Sequence, residues 1–533
     1  MKSYRCFAYP GLLSSCSSVV YTRTLLRHTT KSGSGYATLS ATFIIKQALK
    51  LDTLGFGQLV LEEMPFEPTD QQIKLTAALA RFCRGDIPSD TVFILNGYAG
   101  TGKTSVMGAL VRALAKLNVP TVLLASTGRA AKVLSGFTGL PAYTIHRKIY
   151  TSSSFAADGS TSGQRINRNQ HVNTIFIVDE ASMIGEGNDG GMDLLRDLVM
   201  YVYTGTNCRL ILLGDTAQLP PVGSSESPAM SAAVFKQMGL KVMRATITRT
   251  VRQASRSGIL ANATWLRRAM AMPQLPEPQL TATPYDDVEV VLPEDLEDAL
   301  GQSFAEYGEE QTIMITRSNR RAVDFNLAIR RQIFDREEIL GKGDRLIVAK
   351  NNYYWTRRER LRRIEDSSDT PGNPVPEFLA NGEIAIVEEI LSTEPRDMTL
   401  FADVQLYLPE SATSITAKIV LDSLTADTAC LPREKIETIG RRTLLETGCA
   451  DGSVTAQREA LKKCPYFNAL QVKFAYAVTC HKAQGGQWQS VFVDMGYIPP
   501  EAYRTTDFYR WLYTSVTRAT DRLSLLAPAC RVN

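Results

Sequence analysis

The residues with the clearest chemistry in this chain are Gly97-Tyr98-Ala99-Gly100-Thr101-Gly102-Lys103-Thr104, with Ser105 closing the run. The string GYAGTGKT fits the phosphate-loop pattern G-x-x-x-x-G-K-[ST]. In that loop, backbone N–H groups and a helix N-terminus converge on an anionic phosphate. Lys103 can then reach the β- and γ-phosphates of a nucleotide, and the Thr104 hydroxyl can hold Mg²⁺. The flanks supply the required scaffold. Residues 91–95 are an apolar, β-rich run, as in a buried parallel strand, and residues 106–117 have helical apolar spacing.

A second group of candidates lies downstream. The apolar run 174–178 ends in Asp179-Glu180-Ala181-Ser182. Adjacent carboxylates at the edge of a buried strand are expensive unless they have work to do. Asp179 can bind Mg²⁺ through its water shell, and Glu180 can polarise an attacking water. The strand at 209–213 closes in Gly214-Asp215-Thr216-Ala217-Gln218-Leu219-Pro220-Pro221. Gln218, in that proline-stiffened loop, is placed to report nucleotide state. Upstream, Gln72 opens an amphipathic helix capped by Thr69 or Asp70. Its amide can meet both edges of adenine, although most helical glutamines are merely solvated.

Other polar residues admit two readings. At 126–132, Ser126-Thr127-Gly128-Arg129-Ala130-Ala131-Lys132 follows a strand. It suits either contact with a backbone phosphate or a plain helix cap. His146 alone reads as a core or capping histidine. Residues 149–171 interrupt the strand–helix alternation with a Ser/Gly-rich stretch, either a β-hairpin with a polar tip or a loop.

The alternation predicts an α/β protein: a first doubly wound domain over 54–250, with the insertion 149–171, and a second over 251–350 and 466–533. Residues 351–465 look different, with short β-like pieces, and predict a β-rich insertion. The run Arg357-Arg358-Glu359-Arg360-Leu361-Arg362-Arg363 beside Tyr353, Tyr354 and Trp355 could grip nucleic acid or form a solvated helix. Arg320, Arg321, Arg330 and Arg331 read as a solvated basic face.

Whole-chain properties set bounds. The 533 residues carry 59 Lys+Arg against 55 Asp+Glu, a net charge of +4, so a nucleic-acid contact must come from a local groove. Nine cysteines without a C-x-x-C pair and four scattered histidines fit reduced thiols better than a disulfide frame or zinc site. No apolar run approaches a membrane span. Residues 1–53 form a basic extension, without an acidic residue as far as Leu51. It reads as a non-native start on a cytoplasmic, bacterial-type protein or, as the lesser alternative, as an organelle-targeting segment.

Taken in order, Gln72, GYAGTGKT, STGRAAK, TIHR, VDEAS, GDTAQLPPVG, TVRQ, TCHKAQG and YTSVTRA resemble the motif set of a superfamily 1 helicase, in its RecD-like and Dda-like branch. The strings run from about residue 68 to 527, most of the chain. The resemblance implies two RecA-like parallel-sheet domains with ATP and Mg²⁺ between them, a small hairpin insertion in the first and an SH3-like β-rich insertion in the second. It implies that Gln72 reads adenine, that Lys103, Glu180 and Gln218 act in hydrolysis, and that Arg252 and Arg518 are arginine fingers. Bidentate cations supplied across a cleft make hydrolysis depend on closure. Thr127, Arg129, His146, Thr479, His481 and Lys482 would line a DNA track. The implied activity is ATP-dependent movement on single-stranded DNA and at single-strand/duplex junctions, 5′ to 3′, in repair, recombination or replication. The alternatives are a RecD-type subunit beside RecB/RecC-like partners in an exonuclease V-like complex, and a DNA-stimulated ATPase that does not unwind. A monomer, or a chain working with a single-strand-binding protein, fits the first reading. A small-molecule kinase would leave the second-half motifs and Arg518 unexplained.

Overall fold

Buried apolar strands alternating with amphipathic helices must stack as a parallel sheet covered on both faces, and that is how the first half is built. The computed structural model describes residues 52–150, 166–185, 193–250, 256–365, 373, 375–496, 499–526 and 531–532. Strands β1 (Thr91–Gly97), β2 (Thr121–Ala125), β3 (Ala142–Thr144), β4 (Ile175–Asp179), β5 (Arg209–Gly214) and β6 (Lys241–Ile247) join in the order β3-β2-β4-β5-β1-β6, every pair parallel. All seven residues of β1 are buried. One core gathers Val92, Ile94, Phe176, Val178, Leu210 and Leu212 with Leu195, Leu198 and Val202 of the helix Leu194–Tyr203.

The later strands are β7 (Gln279–Leu280), β8 (Val288–Val291), β9 (Thr312–Thr316), β10 (Arg345–Val348), β11 (Ile384–Arg396), β12 (Thr399–Leu408), β13 (Thr413–Val420), β14 (Val472–Phe474), β15 (Ala477–Thr479), β16 (Trp488–Asp494), β17 (Ala519–Leu526) and β18 (Arg531–Val532). A second parallel sheet runs β15-β9-β16-β17-β8, while β7 pairs with β18. Ala217 and Leu219, from the loop after β5, belong to the same core as Val491, Leu512 and Val516 of the second domain. The two α/β domains therefore share apolar contact at their seam.

A five-stranded antiparallel sheet, β13-β12-β11-β10-β14, is the β-rich insertion. It reaches beyond the expected 351–465, since β10 precedes that range and β14 follows it. The apolar run 472–478 is divided at Ala475-Tyr476: β14 joins the insertion sheet and β15 the parallel one. Burial is continuous along the run, so its pattern could not show the change of partner. The insertion also contains two helices, Arg433–Glu446 and Val454–Lys463.

The arginine run falls on the helix Tyr354–Glu365 and ties the insertion together. Buried Glu359 accepts from Arg362 (2.8 Å) and Arg363 (3.1 Å), and Arg363 also reaches Thr413 Oγ1 (2.9 Å) at the start of β13. The solvated basic face expected around Arg330 is not what forms. Arg330 is buried, with two hydrogen bonds to buried Asp344 (3.0 and 2.9 Å), because its helix turns that side onto the insertion sheet. Arg321 likewise grips Asp494 with two bonds of 2.9 Å.

The base of the 149–171 insertion closes as an antiparallel pair, Tyr150 against Ile166, with Asn167 N–H donating to Ile149 O (2.7 Å). Its tip lies outside the described residues, as does the extension 1–53 apart from its last two residues. Among the described residues no helix is long and apolar enough to cross a membrane.

Candidate functional site

β1 delivers the phosphate loop to the N-terminus of the helix Lys103–Lys116, and Gly102 (φ +78°) makes the turn. Lys103 folds back over the loop. Its stem fills the place a Cβ on Gly97 would take, and its ammonium donates to Gly97 O and lies 4.0 Å from Asp215 Oδ2. Asp179 ends β4, where Glu180 N–H donates to its Oδ1 (2.8 Å). Burial and the neighbouring Glu180 push the Asp179 carboxyl up to about 6, with the Lys103 ammonium acting the other way. Glu180 is held at φ +50°, a left-handed conformation that costs a non-glycine residue about 1–3 kcal/mol. Gln218 is buried, and its carbonyl oxygen has no protein partner.

The oxygen donors expected to hold Mg²⁺, Thr104 and Asp179, suit that ion. Mg²⁺ takes one or two carboxylates plus phosphate oxygens and keeps waters, and it needs no all-protein cage. Among the described residues no group of three or more His, Cys, Asp or Glu forms such a cage. A cation beside Asp179 would also relieve its repulsion with Glu180.

Gln72 is hydrogen-bonded within the first domain. Its carbonyl oxygen accepts from Thr69 N–H (2.9 Å), closing a capping box, and its Nε2 donates to Thr101 O (3.0 Å) in the phosphate loop. Both faces of the amide are engaged within the first domain, so the residue braces the loop.

The second domain meets this site through the helix Thr506–Val516. Buried Tyr513 accepts from Ala99 N–H (2.9 Å) and donates to Asp215 Oδ2 (2.6 Å). Thr514 Oγ1 accepts from Leu219 N–H (2.9 Å), and Gln484 Nε2 donates to Leu219 O (2.8 Å). Leu260, from the helix Gly258–Met270, covers Gly100, whose φ of +70° and closeness to Leu260 (2.7 Å from a notional Cβ) both exclude a side chain. Arg518 follows the Tyr513 helix and is buried, donating to Thr514 O (3.1 Å) and Gly486 O (3.0 Å). It stands at the seam but spends its guanidinium on its own domain. Arg252 lies outside the described residues.

The candidate DNA residues divide. Thr127, Arg129 and Lys482 line one cavity of about 30 Å³ with Gln484 and Trp488. Thr127 caps the helix Gly128–Thr138, accepting from Ala130 N–H (3.2 Å). Arg129 stacks on Trp488, 3.8 Å from the ring centre, and donates to Gln487 O (3.1 Å). The Lys482 ammonium nitrogen is buried without a hydrogen-bond partner, and burial lowers its pKa. Gly485 (φ +73°) lets the second-domain segment approach within 2.9 Å of Thr127 Oγ1, measured from a notional Cβ. His146 lies elsewhere, beside Tyr150, and burial pushes it down to about 4, so it is neutral. Thr479 stands at the N-cap of the short helix Cys480–Ala483 without a capping bond, and His481 is exposed on that helix.

Sequence reasoning quoted the strings holding Asp215, Trp488 and Tyr513, or their neighbours, without singling these residues out. Asp215 carried the same signal as Asp179, a carboxylate at the end of a buried strand. Nothing in the pattern distinguished Tyr513 from an ordinary core tyrosine.

Comparison with known proteins agrees with this layout. A family model described as an AAA domain matches residues 76–273, and one described as a UvrD-like helicase C-terminal domain matches 474–526. The ATP-dependent RecD2 DNA helicase of Deinococcus radiodurans is 31% identical over 178 residues, which is 32% of this chain and 21% of that relative. The chain thus spans only about a fifth of that protein's length. An uncharacterized protein of Acanthamoeba polyphaga mimivirus is 21% identical over 492 residues, 82% of this chain and 95% of its own. Among solved structures, Pif1 helicase from Bacteroides in complex with ADP-AlF3 and ssDNA superposes with a TM-score of 0.42 at 13% identity, covering 87% of this chain and 93% of that one. Pif1 helicase from Candida albicans gives 0.39 at 14%, covering 87% and 95%. The chain is thus similar to an AAA domain over 76–273 and to the UvrD-like helicase C-terminal domain over 474–526, with the motif series in order along its length.

Proposed function

We propose that the chain is an ATP-dependent DNA helicase moving on single-stranded DNA, 5′ to 3′ as its RecD-like motif set implies. The carrying observation is the seam. Lys103, Asp179, Glu180 and Asp215 form one wall, and a second-domain helix bearing Tyr513 and leading to Arg518 is hydrogen-bonded to the phosphate loop. ATP phosphates would draw the Lys103 ammonium from Gly97 O, and Gln218 would turn its unpartnered carbonyl toward the attacking water. Glu180 would orient that water and accept its proton. Thr104 and Asp179 would hold Mg²⁺, which would supply charge neutralisation at the phosphates. Arg518 would exchange its own domain's carbonyls for the γ-phosphate, so hydrolysis requires both domains and can change their spacing. On the other side of the seam, Thr127, Arg129 and Lys482 would hold backbone phosphates, and Trp488 would support the Arg129 guanidinium.

The test is the ATPase rate with and without single-stranded DNA, together with unwinding of 5′-tailed and 3′-tailed duplexes. DNA-stimulated turnover and opening of the 5′-tailed substrate are expected. Turnover indifferent to DNA would end the reading, and unwinding only from a 3′ tail would reverse its direction. The Ser/Gly-rich insertion tip, with Phe155 its one large apolar residue, favours a second reading, translocation without strand separation. In that case stimulation appears and neither duplex opens.

A further inference from the structure

Tyr513 is fully buried at the seam, and its one hydroxyl joins three pieces of chain. It is carried by the second domain, accepts from the backbone of the phosphate loop at Ala99 (2.9 Å), and donates to Asp215 in the loop after β5 (2.6 Å). Burial and the Asp215 charge raise the phenol well above its ordinary value, so the group is a neutral O–H donor. The other Asp215 oxygen accepts from Ala217 N–H (2.9 Å). Asp215 is therefore held by a loop amide and a phenol, with the Lys103 ammonium 4.0 Å away, beyond hydrogen-bond length.

That arrangement matters because a buried carboxylate without its donors turns to the nearest cation. Without the phenol, Asp215 Oδ2 has Lys103 as its closest donor, and an ammonium locked to a buried carboxylate is withheld from a phosphate. The bond to Ala99 acts in the same sense, fixing the phosphate loop against the helix that leads to Arg518. Gln218 sits between these points, since its neighbours Ala217 and Leu219 are bonded to Asp215 and Thr514.

We propose that Tyr513 is a positioning residue for hydrolysis: its hydroxyl holds Asp215 off Lys103 and registers the phosphate loop with the second domain, so that lysine, glutamine and arginine reach the γ-phosphate together. This inference rests on the ATPase reading above and extends it to a residue that never touches the nucleotide. Tyr513 acts on the docked arrangement of both domains, so its loss falls on turnover and on stimulation by DNA more than on capture of ATP.

The experiment compares wild type, Tyr513→Phe, Asp215→Ala and the double variant. Each is measured for kcat and KM with and without oligo-dT, for fluorescent-ATP affinity and for thermal unfolding. Tyr513→Phe keeps the ring and its packing. It should lower DNA-stimulated kcat about tenfold or more, the scale of a lost hydrogen bond to a charged group, with ATP affinity within about twofold and the DNA-stimulation ratio reduced. The double variant should be little worse than Asp215→Ala alone, as for two groups acting as one unit. Wild-type kcat in Tyr513→Phe, or effects that multiply in the double variant, would overturn the proposal. So would equal losses in basal and stimulated rates that track a lowered melting temperature, because those mark a merely structural tyrosine. If Tyr513→Phe does not fold, the proposal falls, since the ring alone was to suffice for packing. DNA-independent turnover in the wild type would sink the helicase reading instead. The Tyr513→Phe effect on kcat would then still be read without DNA.

Discussion

The nucleotide seam and the proposed DNA track lie on the same pair of domains but are finished to different degrees. At the seam many polar groups hold one another, Tyr513 with Ala99 and Asp215, Thr514 with Leu219, Gln72 with Thr101, Arg518 with Gly486 and Thr514, while the Gln218 carbonyl oxygen has no partner. On the track the Lys482 ammonium is buried and unpartnered, and Arg129 leans on an aromatic ring with a single backbone acceptor. The insertion also presses an acidic side chain on the track, as Glu410 Oε2 lies 2.6 Å from where a Cβ on Gly128 would stand. A seam with satisfied bonds can be held in register before ATP arrives. A track with an unsatisfied cation stores a desolvation cost that a phosphate can relieve. On the proposed reading, the difference teaches that binding energy for DNA would be held in a cation awaiting its ligand, and the register of the seam in side chains already holding one another.

The seam side of the comparison is broken most severely at Arg518. Its three guanidinium nitrogens all donate within the second domain, and the arginine completes the site only by leaving those acceptors. Arg518→Ala is expected to retain fluorescent-ATP binding and lose roughly 10³-fold in DNA-stimulated turnover, the range for an arginine finger. Retained turnover would mean that the second domain contributes packing alone, and the seam would be no more a catalytic site than the track is.

The track side is sharpened by Lys482. Removing a buried, unpartnered ammonium while keeping its volume should stabilise the free protein, by roughly 1 kcal/mol or more, since the desolvation cost disappears. The same change should weaken single-stranded DNA binding and reduce the slope of log affinity against log salt by about 0.7, one phosphate contact fewer. Thermal unfolding and fluorescence anisotropy of Lys482→Met over a salt series read both. A destabilised variant, or an unchanged slope, would place Lys482 outside the track.

Legibility followed the same division. The phosphate loop, the Asp179-Glu180 pair and the parallel sheets were readable because each depends on local pattern: a glycine string between strand and helix, carboxylates after an apolar run. What required the structure depends on which distant segment arrives. The 472–478 run divides between two sheets with no change in its own burial pattern. Gln72 turns inward because Thr101 stands in front of it. The arginine run 357–363 read as a nucleic-acid grip or a solvated helix, and the structure makes it a helix whose Glu359 is buried among the arginines, since sequence gives the charges without their depth. Asp215 and Trp488 acquire meaning only from side chains arriving from the other domain, Tyr513 and Arg129.

The smallest expected effect tests whether the insertion guards the track. Burial raises the Glu410 carboxyl, while Lys132 and Arg129 pull it back toward the charged form. Its neighbour Glu383 is pushed up to about 8, first by burial and then by the Glu410 charge. A carboxylate facing Gly128, Arg129 and Lys132 competes for the cations a backbone phosphate would use. Glu410→Gln keeps the shape and removes the charge. It is expected to tighten oligo-dT binding about two- to fivefold at low salt, the worth of a partly screened ion pair, with the gain shrinking as salt rises. ATP affinity in the absence of DNA should not change, because Glu410 faces Gly128, Lys132 and Arg129 and not the phosphate loop. Equal or weaker DNA binding in Glu410→Gln would show the turn between β12 and β13 to be a structural contact that leaves the unpartnered Lys482 to carry the proposed track.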